Sequence, residues 1–166
     1  IVTFDMGGTS TDVAYWGGKI ERRQEAEIAG VKLRTPMLKI HTIAAGGGSI
    51  LHFDGERYKV GPDSAGAQPG PASYGLGGPL TITDCNVLLG KINPKFFPSL
   101  FGETGKEPLD KNLVIRKFQA LADEIACETG QKQKLEDIAE GFLHIAIEHM
   151  ANAIKKISIQ EGHDLK

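Results

Sequence analysis

The fold is decided at the start of the chain by the stretch Ile1-Val2-Thr3-Phe4-Asp5-Met6-Gly7-Gly8-Thr9-Ser10-Thr11-Asp12-Val13-Ala14-Tyr15. An apolar run leads into a compact turn of glycine and hydroxyl residues, and a second apolar run follows, which predicts two strands joined by a tight turn. The glycines allow the backbone to approach a ligand and to take positive φ where the turn requires it. Successive backbone amides in such a turn form a concave anion site. The stretch therefore indicates a phosphate-binding hairpin, with an ordinary polar hairpin as the alternative.

Two aspartates, Asp5 and Asp12, stand on either side of this turn. Carboxylates repel phosphate, so beside an anion site they suit a divalent metal or its bound water. The hydroxyls of Thr9, Ser10 and Thr11 add hydrogen-bond donors. The stretch is not a Walker A loop, because no lysine follows the glycines and no helical pattern follows the turn. We therefore expect a metal-assisted phosphate site on a hairpin.

The composition excludes several classes of function. The chain has 166 residues and a net charge of −2 from 19 basic and 21 acidic side chains. It has no basic stripe that would favour nucleic acid or an anionic membrane, and no apolar run approaches the ~20 residues of a membrane span. Cys85 and Cys127 lack metal-ligand spacing and are expected to be free thiols. With no signal-peptide pattern, we expect a cytoplasmic protein.

The chain divides into a strand- and loop-rich part, residues 1–92, and a helical part, residues 93–166, which predicts an α/β fold. In the first part, Gly17-Gly18 and Asp54-Gly55 indicate hairpin turns, and residues 61–79 form a long Gly/Pro loop. A short helix is expected to begin at Thr83 or Asp84 and to stop at Gly90. Apolar residues at helical spacing predict two longer helices, over residues 111–129 and 134–161.

A run of three glycines, Gly46-Gly47-Gly48, precedes Ser49 between two apolar runs. Consecutive glycines are expensive in conformational entropy, so they indicate a close approach of the backbone to something. That neighbour is either a packed helix or a ligand. His41 and His52 flank the run, and each is more readily explained by a backbone partner than by a metal.

Further motifs follow the hairpin along the chain. They are Ala44-Ala45-Gly46-Gly47-Gly48-Ser49-Ile50, then Val60-Gly61-Pro62-Asp63-Ser64-Ala65-Gly66-Ala67 with Pro69-Gly70-Pro71-Ala72, then Thr81-Ile82-Thr83-Asp84. With residues 4–13 they resemble the hydantoinase A / 5-oxoprolinase family of the actin-like ATPase superfamily. The resemblance implies a ribonuclease H-like lobe with helices packed on a mixed sheet. It further implies that residues 1–166 are part of the second lobe, without the N-terminal lobe and the adenosine-binding segment.

The family resemblance also implies an activity and a set of site residues. The expected reaction is the ATP-dependent opening of a cyclic amide such as hydantoin, N-methylhydantoin or 5-oxoproline. Asp5 and Asp12 would act on Mg²⁺ or on the attacking water. The expected nucleotide-binding residues are Gly7, Gly8, Thr9, Ser10, Thr11, Gly46, Gly47, Gly48 and Ser49.

The resemblance further implies partners for the chain and leaves alternative functions open. The chain would work with the missing N-terminal lobe and a second subunit of the hydantoinase B type, and the isolated chain would be inactive. The alternatives are an ATP-binding subunit of a ketone carboxylase and a non-catalytic actin-like assembly module. Family members commonly carry cysteine at the position of Ser73, so a thiol nucleophile is not expected here.

Overall fold

The computed structural model describes residues 1–19, 22–28 and 30–160, and it combines strands with helices as the sequence predicted. The strands are β1 Val2–Met6, β2 Thr11–Tyr15, β3 Arg22–Arg23, β4 Ala26–Ile28, β5 Val31–Leu33, β6 Met37–Leu38, β7 Ile40–Ile43, β8 Ser49–Phe53 and β9 Tyr58–Ser64. The helices are α1 Ile82–Leu88, α2 Lys111–Thr129 and α3 Leu135–Gln160, with short 3₁₀ turns at Ala72–Tyr74 and Pro94–Phe96. No helix within the described ranges is long and apolar enough to cross a membrane.

The sheet that carries the first hairpin has the order β1-β2-β7, with antiparallel neighbours. The prediction that Gly17-Gly18 joins β2 to the next strand as a hairpin is wrong. β2 pairs with β7, while β3 pairs with β6 and β4 pairs with β5, so the intervening segment folds on itself. The reason is burial: β7 brings Ile43 beside Val13 against α3, which the charged segment after Gly18 cannot do.

Two hydrophobic clusters are joined by α3. The larger cluster packs α1, α2 and the first half of α3 against β9, and Phe118 and Phe142 are fully buried at its centre. The smaller cluster packs Val13 of β2 against Ala153 and Ile157 near the end of α3. Truncation of a buried phenylalanine typically lowers stability by about 3–5 kcal/mol. The larger cluster is therefore the main source of stability, and it fixes α3 as a support for the hairpin sheet.

The helix boundaries confirm some predictions and correct others. Helix α2 begins and ends as predicted: Asp110 accepts a hydrogen bond from the Leu113 amide at 2.8 Å, and Gly130 follows with a φ of 72°. Helix α3 begins at Leu135, and the predicted end beyond Gln160 lies outside the described residues. Helix α1 is capped by Thr81, not by Thr83 or Asp84 as expected.

The long loop is shorter than predicted, because β9 continues through Gly61 and Pro62 to Ser64. A bulge between Ser49 and Leu51 lets Ser49 pair with Ser64, which extends the β8–β9 ladder past the proline. The irregular segment therefore starts at Ala65. The Asp54-Gly55 turn between these strands is confirmed, with Gly55 at a φ of 91°.

This β8–β9 turn gives a testable pH dependence. The Lys59 ammonium, followed by the amides of Arg57 and Glu56, lowers the pKa of Asp54 from 3.8 to about 2. Because the folded-state pKa is depressed, the carboxylate stabilises the fold above pH ~4, and this contribution is lost as the pH falls towards 2. We expect Asp54→Asn to lower the melting temperature at pH 6 and the difference from the parent to vanish near pH 2. A difference that stays constant across a thermal-melt series over this range would contradict the assignment.

Candidate functional site

The two predicted acidic residues lie together on one face of the hairpin. Asp5 of β1 is directly opposite Asp12 of β2 in the antiparallel register. Directly opposed residues of such a pair point to the same face of the sheet. Both side chains are exposed, and the Thr42 hydroxyl of β7 donates a 2.6 Å hydrogen bond to Asp12 Oδ1. The sheet thus presents two carboxylates to solvent, one of them oriented by a neighbouring strand.

The triple-glycine segment lies directly behind the hairpin turn. The amide of Gly47 donates to the Gly7 carbonyl at 3.1 Å, and the amide of Gly48 donates to the Gly8 carbonyl at 2.6 Å. A Cβ atom on Gly46 would lie 2.6 Å from the Gly7 carbonyl oxygen, and one on Gly48 would lie 2.9 Å from that of Gly8. The close neighbour of Gly46 and Gly48 is therefore the turn itself, whereas a Cβ atom on Gly47 would meet the Thr83 hydroxyl of α1 at 2.9 Å.

These two hydrogen bonds set the direction of the amides in the turn. The peptide bonds of the turn are trans, and in a trans peptide the N–H points opposite to the C=O of the same unit. Because the Gly7 and Gly8 carbonyls point back to the glycine segment, the amides of Gly8 and Thr9 point away from it. Neither amide donates a hydrogen bond to another described residue. A pair of adjacent unpaired donors on a turn is an anion-binding arrangement.

Gly8 is not required by the conformation of the turn. Gly7 and Gly8 are absent from the glycines with positive φ, so this turn does not use the left-handed conformation that glycine allows. A Cβ atom on Gly8 would meet nothing within 4 Å. Gly8 and Thr9 are both exposed, so the turn is accessible to a ligand at this point.

The remaining predicted residues fall into two groups. Thr11 and Ser49 are buried, and their hydroxyls are used within the chain: Thr11 donates to the Ala45 carbonyl at 2.6 Å, and Ser49 accepts from the Gly46 amide at 3.0 Å. Thr9 is exposed at the turn, where the Ser64 hydroxyl lies 3.5 Å from its own. Ser10 closes the turn by accepting from the Gly7 amide at 2.8 Å. Their contact with a nucleotide stays a prediction.

Asp84 has a larger part in the structure than a helix cap. It is fully buried, and its carboxylate accepts from the amides of Ala72 at 3.0 Å, Ser73 at 2.8 Å and Thr81 at 2.9 Å. It therefore fastens the Gly/Pro loop to the first turn of α1. The Thr-x-x-Asp spacing is a capping-box signal that marks the helix end, but nothing local in the sequence indicates the two loop amides.

The histidines do not add to the acidic pair. His52 Nε2 lies 3.9 Å from Asp63 Oδ2 at the β8–β9 edge, while His41 lies on β7 opposite Val13. Within the described ranges no group of three or more His, Cys, Asp or Glu could hold a metal ion. Two exposed carboxylates nevertheless suit Mg²⁺, which keeps several waters and takes one or two carboxylates together with substrate phosphates.

The chain matches a known protein family over its whole length. The family model described as Hydantoinase/oxoprolinase matches residues 1–166. The chain belongs to this family. The prediction made from the ordered motifs is thereby confirmed at the level of the family.

Individual relatives are much longer than this chain. The chain is 46% identical over 164 residues to a 5-oxoprolinase of Saccharomyces cerevisiae, covering 98% of this chain and 13% of the relative. It is 35% identical to the caprolactamase subunit alpha of Pseudomonas jessenii, covering 99% of this chain and 23% of that protein. A nucleotide-free structure of acetone carboxylase, described in connection with ATP-dependent acetone carboxylation, superimposes with a TM-score of 0.78 and 29% identity over 98% of this chain and 22% of that one.

Proposed function

We propose that this chain is the phosphate-binding part of an ATP-dependent enzyme that opens a cyclic amide of the hydantoin or 5-oxoproline type. The observation that carries the proposal is the turn at Gly8 and Thr9. Its carbonyls are tied back by the triple-glycine segment, so its amides face open space beside two carboxylates. The 46% identity to a 5-oxoprolinase supports the cyclic-amide class of substrate. We further propose that the fold is part of an actin-like ATPase lobe.

The residues of the hairpin would hold and orient the phosphates. The amides of Gly8 and Thr9 and the exposed Thr9 hydroxyl would donate to phosphate oxygens, and hydrogen bonds to charged groups are worth about 1.5–3 kcal/mol each. Asp5 and Asp12 would hold Mg²⁺ directly or through its waters. The ion, when bound, neutralises phosphate charge and positions the leaving group. The hydrogen bond from the Thr42 hydroxyl would hold the Asp12 carboxylate in position to bind Mg²⁺.

The chemistry implied for the whole enzyme is phosphoryl activation. The amide oxygen of the ring attacks the γ-phosphorus and ADP leaves, which converts a resistant amide into a reactive phosphorylated form. Water then attacks the ring carbon and the C–N bond opens, with a proton going to the nitrogen, which leaves an acyl phosphate. A second water hydrolyses the acyl phosphate to a carboxylate and phosphate. The protein contributes mainly position and charge stabilisation to such a phosphoryl transfer. The Gly/Pro loop fastened by Asp84 is a candidate for the substrate side of this site.

A ketone carboxylase subunit is the second candidate, favoured by the similarity to acetone carboxylase. That carboxylation is described as ATP-dependent, as the proposed ring opening is. The relative named as a caprolactamase subunit alpha and the carboxylase both support a multi-subunit enzyme. We therefore propose a second subunit of the hydantoinase B type as a partner, together with an N-terminal lobe.

The proposed function is tested by coupling ATP hydrolysis to ring opening in a full-length enzyme that contains this chain. We expect ADP release to require a cyclic amide and to match the amount of ring-opened product, with 5-oxoproline, hydantoin and N-methylhydantoin tried in parallel. The folded 166-residue chain, verified by circular dichroism, should turn over no ATP, because one loop binds nucleotide weakly. ADP release that requires a ketone and bicarbonate would favour the carboxylase. Robust ATP hydrolysis by the isolated chain would contradict the division of the site between lobes.

A further inference from the structure

The first turn of α1 holds the triple-glycine segment through one residue. The carbonyl of Gly47 accepts two hydrogen bonds from Thr83, one from its amide at 2.8 Å and one from its hydroxyl at 2.9 Å. A Cβ atom on Gly47 would lie 2.9 Å from the Thr83 hydroxyl oxygen. The side chain of Thr83 thus lies directly against this peptide, in contact with the atom that it orients.

The contact between Thr83 and Gly47 affects the orientation of the turn through two planar peptide units. The Gly47 carbonyl and the Gly48 amide belong to one planar unit, so the pair of bonds from Thr83 fixes the direction of that amide. The Gly48 amide donates to the Gly8 carbonyl at 2.6 Å. The Gly8 carbonyl in turn shares a plane with the Thr9 amide. Fixing the direction of the Gly47 carbonyl therefore fixes the direction of the Thr9 amide. Hydrogen bonds in such a series polarise and strengthen one another.

The residues around Thr83, where this series of hydrogen bonds begins, are buried in the core. Ile82 and Cys85, on either side of Thr83 and Asp84, are buried in the larger hydrophobic cluster. Asp84 is fully buried and accepts from three backbone amides. Thr83 is consequently held by the most stable part of the chain, whereas the turn at Gly8 lies on the surface.

We propose that Thr83 is a positioning residue for nucleotide binding: its hydroxyl fixes the Gly47–Gly48 peptide, which holds the Gly8 carbonyl back and aims the Thr9 amide at a phosphate. The inference rests on the proposed function, since it assumes that the turn binds nucleotide. Thr83 does not itself touch the phosphate. Loss of the Thr83 hydroxyl changes the orientation of the Thr9 amide in the turn.

The test measures binding of a non-hydrolysable ATP analogue to the full-length enzyme by titration calorimetry. Thr83→Val removes the hydroxyl and retains the shape, and the loss of one hydrogen bond predicts an affinity about three- to tenfold weaker. Thr83→Ser keeps the hydroxyl and should restore affinity to within about twofold of the parent. The KM for ATP should rise with Thr83→Val while the KM for the cyclic amide stays unchanged. Thr129→Val is the matched control, because Thr129 makes the same kind of bond to the Ile125 carbonyl at the end of α2.

A second substitution keeps the inference falsifiable if Thr83→Val does not fold. Gly47→Ala displaces the Thr83 hydroxyl and should weaken binding to a similar extent, and the double variant should lose no more than one of the single variants, because both remove one interaction. Additive losses, or a serine variant as weak as the valine variant, would overturn the inference. A parent enzyme that binds no nucleotide would overturn the proposed function itself. Equal binding by the parent and Thr83→Val overturns the positioning role alone.

Discussion

Gly8→Ala is expected to lower ATP-dependent turnover of the full-length enzyme about 100-fold without lowering its stability. A misplacement of reacting groups by about 1 Å is enough for a loss of that size, and a methyl group in front of the turn would displace a phosphate by at least as much. The chain itself accepts the methyl group, since its position is open and φ at Gly8 lies outside the left-handed region. A compatible Gly→Ala change even stabilises by about 0.4–1 kcal/mol through the unfolded state.

The matched comparison for Gly8→Ala is Gly46→Ala. There the new Cβ atom would lie 2.6 Å from the Gly7 carbonyl oxygen, so the backbone must shift. We expect the Gly46 variant to lose both melting temperature and turnover, and the Gly8 variant to lose turnover alone. The two readouts are a thermal melt and the kcat/KM for ATP. Full activity of the Gly8 variant would show that the open side of the turn is not where the nucleotide binds.

Asp12→Asn is expected to lower kcat/KM by about 10²- to 10³-fold, the range seen when one preorganised charge-stabilising group is removed. The amide keeps an oxygen that accepts from Thr42, so the geometry survives and only the charge is lost. Without magnesium the variant should be at least as stable as the parent, because like charges directly opposite each other on neighbouring strands are destabilising. The parent should gain stability on adding Mg²⁺ with nucleotide, and the variant should gain less.

The control for Asp12→Asn is Asp123→Asn on the exposed face of α2. Asp123 is an exposed aspartate that accepts from a neutral side chain, Gln119, at 3.0 Å. It resembles Asp12 in exposure and bonding but lies away from the hairpin sheet. Turnover and magnesium dependence should match the parent. An Asp12 variant that behaves like the Asp123 variant would remove the carboxylates from the proposed site.

Local patterns predicted the local features of the fold. The β1–turn–β2 hairpin follows from the alternation and turn chemistry of neighbouring residues, and the caps at Asp110 and Gly130 follow from helix-end chemistry. The pairing of β2 with β7 could not be predicted in this way, because it depends on which strand covers α3. Residues 22–38 had some strand character but too little apolar surface for that position.

In the candidate site, too, local features could be predicted and long-range contacts could not. Sequence patterns predicted that Asp5 and Asp12 flank the glycine turn on paired strands, because their spacing is local, and the structure places them opposite each other. The reason for the triple glycine was not visible, since its close neighbours are distant in the chain: the turn for Gly46 and Gly48, and Thr83 for Gly47. The buried partners of Asp84 were missed for the same reason, as they come from a loop without a regular period.

The smaller hydrophobic cluster has a consequence for nucleotide binding at the proposed site. Among the described residues, three buried side chains anchor the hairpin sheet to the end of α3, namely Val13, Ala153 and Ile157. With the partly buried Val2, Tyr15, Ile43 and Ile154 they form a smaller contact than the larger cluster, so local opening of this sheet is expected to cost less free energy than global unfolding. A nucleotide that binds only when the hairpin sheet is packed against α3 then stabilises this packed form by mass action. Binding of a nucleotide at the hairpin would therefore make this local opening less frequent.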